Sequence, residues 1–516
     1  MSGARVIDAA LVVAGGALYT AAFPPHECGL SAWVALVPLL AVVARASPAG
    51  AFLAGAAYGA TFFTGIVAWV VEAVASYFST GLAGALAFRT AICVLYVSVY
   101  VGIFALAARH LLAGSPWRAL VAIPALWVAY ELARARLLTG LPWELLGYSQ
   151  WRQTLLIQVA DLGGVYVLSF VVAAVNVGIY LALRRLACSA RPAALVRAAA
   201  PLAAALALVA ATLVYGAITI GRESRRPAGS TAVLALAQGS LPTEWRWERT
   251  GAERSLLAYV ALSRQAIAAS RPDLLVWPEY AVTLYPDRDA VLLPALMPLA
   301  HGTAAGLVFG APRIEGSPPH ARYFNSAYHL APDGTLASYD KLHLVPFAEY
   351  RPSALGEAVA AAEADSEFTA GTASTVLPSA AGRLGVLICY EVIFPELTRA
   401  LVRGGAEVVL NIANDGWLDR AGLGASAQHL SMAVFRAVET RRYVARAASS
   451  GISGFIDPLG RPFALLAGGT RGVTTGEIEP RRELTPYTRW GDCFAAACIV
   501  LGIGALAPRT RKRGRR

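Results

Sequence analysis

Three short segments carry side chains with chemistry to offer. Leu274-Leu275-Val276-Trp277-Pro278-Glu279-Tyr280 is an apolar run that ends in a carboxylate. Tyr339-Asp340-Lys341-Leu342-His343-Leu344-Val345-Pro346-Phe347-Ala348-Glu349-Tyr350 holds the one lysine that precedes Lys512 in the C-terminal tail. Leu384-Gly385-Val386-Leu387-Ile388-Cys389-Tyr390-Glu391 is an apolar run that ends in a cysteine. A thiol with a pKa of ~8.5 is only partly ionised at neutral pH, so nucleophilic use demands a base and a positive environment. A carboxylate and an ammonium are the groups that supply these. Taken singly, each has a plainer use: an inert buried cysteine, a helix-start carboxylate, a surface charge. The placing of carboxylate and thiol at strand ends favours function, because ligands of α/β folds bind there. All basic residues other than Lys341 and Lys512 are arginines, so a lysine at 341 is conspicuous.

The elements that must position these residues begin near residue 228. Short β-rich runs at 232–237, 274–277, 306–309, 384–388 and 408–412 alternate with helical stretches at 253–269 and 428–440, which predicts a layered α/β architecture. About 260 residues are ample for one core. An Ala-rich stretch at 358–364, with Glu357, Glu363, Asp365 and Glu367, reads as a mobile surface helix or loop. In order and flanking residues, the WPE at Glu279, the YDK-x-H at Lys341 and the ICYE at Cys389 resemble the nitrilase superfamily. That resemblance implies an α-β-β-α sandwich and a Glu–Lys–Cys triad. Glu279 would accept the thiol proton and Cys389 would attack a carbonyl. Lys341 and the backbone N–H of Tyr390 would stabilise the oxyanion. A planar guanidinium would not replace the compact ammonium of Lys341.

The rest of the chain has a different character. Of its 516 residues, 57% are hydrophobic and 15% charged, with a mean hydropathy of +0.53. This excludes a purely soluble protein and a disordered one. The net charge of +11 gives no argument for nucleic acid, since much of it lies in the RTRKRGRR tail and in short loops between apolar runs. Apolar runs fall near 9–23, 30–44, 51–71, 90–108, 119–130, 163–183 and 198–220, with a last at 494–507. A spanning helix needs roughly 20 apolar residues; the third, fourth, sixth and seventh runs qualify easily, and the fifth stops at Glu131. The first run reads as an uncleaved anchor rather than a secretion signal. With the N-terminus inside, Arg45, Arg109, Arg118, Arg184, Arg185, Arg191 and Arg197 all lie inside, as the positive-inside rule asks. Residues 221–490 then lie outside and the basic tail inside. Arg89, Arg134, Arg136 and Arg152 break the rule and are expected to snorkel at helix ends.

These parts combine into an expected order: a membrane domain at 1–220 of about seven spans, a nitrilase-like domain at 228–485 on the outer face, a span at 490–508 and a cytoplasmic tail at 509–516. Seven spans, an outer nitrilase-like domain and a final span resemble the bacterial apolipoprotein N-acyltransferase family. So do further segments: Gly140-Leu141-Pro142-Trp143-Glu144-Leu145-Leu146-Gly147-Tyr148-Ser149-Gln150, Gln238-Gly239-Ser240-Leu241-Pro242 with Trp247, Tyr323-Phe324-Asn325-Ser326, and Asn414-Asp415-Gly416-Trp417. The resemblance implies an acyl chain taken from a phospholipid, typically phosphatidylethanolamine, and held as a thioester on Cys389. It would then pass to the α-amino group of the S-diacylglyceryl-cysteine of an apolipoprotein. It implies an enzyme of the inner membrane with its catalytic domain periplasmic, without a cofactor, and monomeric. It also gives weight to Trp247, Asn325, Glu349, Tyr390, Glu391 and Trp417.

Each of those residues also has a structural use. Glu349 orients Lys341 or Glu279, or caps a loop. Glu391 holds the turn after the nucleophile, and Asn325 makes turn contacts. Trp247 and Trp417 are interface aromatics or gate the acyl entrance. The six cysteines, Cys28, Cys93, Cys188, Cys389, Cys493 and Cys498, show neither a disulfide framework nor zinc spacing, and no histidine reads as a metal ligand. His429 is not needed as a base beside Glu279. Ala348 stands where the family usually has Gly, and Leu418-Asp419 where an aromatic and Gly are usual. Two other readings share the motifs: a membrane-anchored hydrolase in which water resolves the thioester, and a transport or lipid-binding protein with an inactive nitrilase-like domain. The intact triad speaks against the second, and the number of spans against the first.

Overall fold

The apolar runs outside 228–485 fold as helix. In a computed structural model the described residues are 3–77, 81–188, 192–227, 229–242, 249–317, 319–350, 368–417 and 424–507. The chain forms two units, one of Met1–Gln150, Gly163–Ile218 and Asp492–Arg516, the other of Trp151–Leu162 and Thr219–Gly491. In the first, helices Gly3–Ala21, Pro48–Ile66, Gly81–Leu112, Val165–Ala187 and Ala199–Glu223 are long and apolar enough to cross a membrane, and Gly29–Val43 and Cys493–Gly504 are shorter apolar helices. Helix is the form such runs must take in lipid, because it satisfies every backbone group internally. Ser47 caps one of them by accepting from Gly50 N at 3.1 Å, ahead of Pro48 at the first helical position. Gly55 lets that helix approach its neighbour closely: a Cβ there would come within 2.6 Å of Val101 O.

The structure departs from the hydropathy reading at two places. The fourth run extends back to Gly81, through a π-helical stretch at Ala91–Val97. The fifth does not stop at Glu131 but continues as Pro116–Arg136. Glu131 is fully buried, where its carboxylate accepts from Trp127 Nε1 at 3.0 Å and from Leu146 N at 2.7 Å. Arg134 does not snorkel. It is also fully buried, donates to Trp143 O at 2.9 Å and lies over the rings of Phe63 and Tyr130. Arg136 pairs with Asp492.

The second unit is a sandwich of two six-stranded sheets. The strands are β1 (Ala232–Gln238), β2 (Leu274–Val276), β3 (Leu307–Glu315), β4 (Arg322–Leu330), β5 (Leu336–Asp340), β6 (Val376–Leu377), β7 (Leu384–Ile388), β8 (Val408–Ala413), β9 (Val444–Ala448), β10 (Ser453–Ile456), β11 (Pro462–Leu466) and β12 (Gly472–Ile478). One sheet runs β12-β1-β2-β3-β4-β5, the other β11-β10-β9-β8-β7-β6. Parallel pairing of β1 to β2 to β3, and of β7 to β8 to β9, sends the strands before Glu279 and Cys389 in the direction their neighbours run.

Side-chain alternation builds the layers. Leu234, Leu236, Val276 and Val308 of the first sheet share a core with Val386, Ile388, Leu410 and Ile412 of the second. The opposite face of the first sheet, with Ala235, Leu275, Trp277 and Phe309, packs on Tyr259, Leu262 and Leu296 of helices Arg249–Ser270 and Leu292–His301. Helices Pro395–Arg403 and Ala425–Thr440 cover the second sheet. A segment distant in sequence belongs to this unit too. Arg441 holds it by an ion pair to Asp161 at 2.6 Å and a hydrogen bond to Gln158 O at 3.2 Å, and Gln158 itself donates to Leu459 O at 2.9 Å. The acidic Ala-rich stretch near 358–364 lies outside the described residues.

Candidate active site

Backbone geometry at two chain reversals sets the carboxylate and the thiol. After β2, Trp277 N still bonds Val308 O at 2.8 Å, and its indole donates to Ser263 Oγ at 2.8 Å. Pro278 has no N–H to give, but its carbonyl still accepts from Gly310 N at 3.2 Å. Tyr280, at φ 53°, turns the chain in the left-handed region. Gly310 on β3 is obligatory here, because a Cβ there would lie 2.6 Å from Glu279 Cα. After β7 the turn falls on Cys389 itself, at φ 53°, and a short 3-10 helix, Cys389–Ile393, follows.

Four polar side chains converge below these turns. Lys341, 1% exposed, places Nζ 3.3 Å from Glu279 Oε1 and 2.9 Å from the Glu349 carboxylate. Asn325 Nδ2 donates to Glu279 Oε1 and to Glu349 Oε1, both at 2.8 Å. Its amide orientation is fixed chemically, since a carbonyl at that spot would face two carboxylate oxygens. Glu349 is held in turn by Val345 N at 2.7 Å. Both bonds to Glu279 arrive at Oε1, which leaves Oε2 the lone pairs to take a proton. Burial works against the Lys341 ammonium, but Glu349 and then Glu279 outweigh it and hold the lysine pKa above the ordinary range. Burial pushes the Cys389 thiol up; the Glu279 charge adds to this, while Lys341 and the backbone N–H of Asn414 pull it down.

Glu391 ties the thiol segment to the lysine segment. One oxygen accepts from Tyr339 Oη at 2.8 Å, Leu342 N at 2.7 Å and His343 N at 3.1 Å. The other accepts from Ile388 N at 2.7 Å. Burial raises its pKa to about 7, against the pull of the Ile388 N–H. Tyr390 and His343 pack on Phe394, with ring centroids 5.1 and 3.7 Å away.

Of the residues singled out from the sequence, the structure therefore gathers Glu279, Lys341, Asn325 and Glu349 into one hydrogen-bonded cluster. Cys389 lies within electrostatic reach, and Glu391 with Tyr390 lies on the thiol segment. Glu349 accepts from both Lys341 Nζ and the loop amide of Val345. Glu391 does more than hold a local turn, and Asn325 does more than make a turn. Trp247 and the Trp417 side chain lie outside the described residues. Sequence reasoning missed the Arg446–Asn411–Asp415 group behind the cysteine; only the Asn414-Asp415 pair hinted at it. No group of three or more metal-type ligands forms among the described residues.

Such a cluster can ionise a thiol, stabilise an oxyanion and carry a proton between successive acyl acceptors. Residues 15–178 match the family described as "Apolipoprotein N-acyltransferase N-terminal domain", and residues 231–487 match "Carbon-nitrogen hydrolase". A protein of Geobacter metallireducens named apolipoprotein N-acyltransferase is 36% identical over 98% of this chain and 96% of its own. One of the same name from Azotobacter vinelandii is 33% identical over 98% and 95%. Among solved structures, a nitrilase-superfamily amidase of Nesterenkonia matches 51% of this chain and 95% of its own, at 24% identity and a TM-score of 0.38. A nitrilase-superfamily protein of Saccharomyces cerevisiae matches 56% and 100%, at 21% identity and a TM-score of 0.37.

Proposed function

The chain belongs to the apolipoprotein N-acyltransferase family, and from that premise we propose that it N-acylates diacylglyceryl-cysteine apolipoproteins with an acyl chain drawn from a phospholipid. The observation that carries the reading is the buried Lys341, cradled by Glu279, Glu349 and Asn325, in a membrane protein with five helices able to span a bilayer. A soluble amidase has no use for that second half.

The chemistry follows from the groups present. Glu279 takes the Cys389 proton, and the thiolate attacks the phospholipid ester carbonyl. The Lys341 ammonium and the Tyr390 N–H hold the oxyanion. Collapse forms a thioester and expels the lysophospholipid alkoxide, which receives the proton from Glu279. The lipoprotein amine then attacks the thioester and yields its proton to Glu279. An amide forms, and the departing Cys389 sulfur takes that proton back. Lys341 stays cationic throughout, because the Glu349 carboxylate remains beside it while Glu279 holds the proton. Phosphatidylethanolamine is the proposed donor. The inner membrane is the proposed location, with the 228–485 domain on the periplasmic face and the tail at 509–516 in the cytoplasm. The arginine distribution supports this orientation.

The test is an acyl adduct. Wild-type protein in detergent with phosphatidylethanolamine is expected to gain one acyl chain by intact mass, and Cys389→Ser none. Adding a diacylglyceryl-cysteine peptide should discharge the adduct in step with peptide N-acylation. Release as free fatty acid regardless of peptide would make the protein a hydrolase. No adduct on folded wild-type protein, across varied lipids, would favour an inactive domain.

A further inference from the structure

Behind Cys389, on the side away from Lys341 in sequence, sits a second group of buried charges that the reaction scheme does not use. Arg446 lies in the middle of β9 and is fully buried. Its guanidinium donates to Asn411 Oδ1 and, at 2.5 Å, to Asp415 Oδ2. Asn411, on β8, passes the connection on: its Nδ2 donates to Leu387 O at 3.1 Å and to Cys389 O at 3.4 Å. Asp415 is held further by Ser426 Oγ at 3.0 Å and by His429 Nδ1 at 3.2 Å. A Cβ at Gly451 would collide with its carboxylate, so the chain closes tightly over it.

A guanidinium is costly to bury unless it answers another charge. Here that charge is Asp415. Burial opposes its ionisation, yet Arg446 and then His429 hold its pKa below the usual range. An Asp415 carboxylate acts on the Cys389 thiol with the same sign as Glu279 and opposes the thiolate. We propose that Arg446 is a positioning residue for Cys389: it cancels the Asp415 charge that would oppose the thiolate, and through Asn411 it fixes the carbonyls around the turn from which the sulfur projects. The charged and titratable groups around the thiol are Glu279 after β2, Lys341 and His343 after β5, Glu349, Tyr390 and Glu391 on its own turn, Asp415 after β8, His429 and Arg446.

The proposal rests on Cys389 being the nucleophile, and its test reads the thiol rather than the transfer, so the two fail separately. Full-length protein in detergent is alkylated with iodoacetamide across pH, and modification is followed on the Cys389 peptide. Arg446→Met is expected to shift the profile upward by about one pH unit, about tenfold slower at neutral pH. Asp415→Asn is expected to shift it downward. The double variant should lie near wild type. Mere loosening of the fold would move all three in one direction, by exposing the sulfur. A wild-type profile in Arg446→Met, or a double variant that keeps the single variant's shift, overturns the proposal. If Arg446→Met fails to accumulate, Asp415→Asn decides alone, and an unmoved or raised profile overturns it.

Discussion

Lys341 and Arg134 are both buried cations, one in each unit. Lys341 meets two carboxylates and a side-chain amide, so the groups around it are charges that hold one another. Arg134 meets a backbone carbonyl and two aromatic faces, and its Nε and one terminal nitrogen have no hydrogen bond among the described residues. Its neighbour Glu131 likewise serves the chain, taking Leu146 N and Trp127 Nε1. The stretch from 140 to 150, which these two residues hold and which ends in the 3-10 helix Leu146–Gln150, is almost wholly buried. Backbone outside an α-helix needs such partners inside an apolar unit. The Lys341 cluster of the α/β unit thus joins charged side chains to one another, whereas Glu131 and Arg134 of the helical unit hold a loop.

Substitutions can break that contrast. The largest expected effect is on chemistry: Glu279→Gln keeps the Asn325 contact but cannot shuttle a proton, so acyl-adduct formation should fall by about 10²- to 10⁴-fold with little change in melting temperature. Next comes Glu131→Ala, which strands two buried donors at about 1–3 kcal/mol each. It should lower the melting temperature markedly while each folded molecule still acylates. A folded but inactive Glu131→Ala protein would end the contrast.

A smaller effect concerns Glu391. Burial raises its folded pKa to about 7 from an ordinary 4.5, so between those values the folded chain keeps a proton that the unfolded chain releases. The stabilisation is complete below the unfolded value and is lost as pH rises through about 7. Wild-type stability should therefore fall with pH over this window relative to Glu391→Gln, by at most about 1.4 kcal/mol per unit. An unchanging difference between the two would refute it. The least effect belongs to an exposed pair. Arg461, 59% exposed, lies 2.6 Å from Asp457, and Arg461→Ala should cost about 0.3–0.5 kcal/mol by chemical denaturation.

Legibility in the sequence followed the same division. The strands before Glu279 and Cys389 are continuous apolar runs with a polar stop, so their ends and their candidate chemistry were readable. Asn325 and Glu349 offered only their types and flanking residues, because their contacts join β4, the 341–350 loop and the end of β2. Arg134 and Glu131 were misread because hydropathy averages over a window and registers a charge as a helix end. The Arg446 group was hidden for a related reason: Asn411 and Arg446 lie inside strands that otherwise read as apolar core. Strands such as β11 and β12, half exposed and without a clean apolar alternation, gave little signal. The tie between 158–161 and Arg441 crosses nearly 300 positions, beyond any local pattern.

The scarcity of lysine has a practical sequel. An amine-selective reagent finds only two lysine side chains in this protein, and Lys512 sits in the tail. The other is 1% exposed and pinned by carboxylates. It can be modified only when the cradle around it comes apart. The rate at which Lys341 acquires a label is therefore a clock for the opening of the cluster around it. That clock is built into the natural sequence and needs no introduced probe. Run with and without phospholipid, it would show whether the proposed acyl donor keeps the cluster shut.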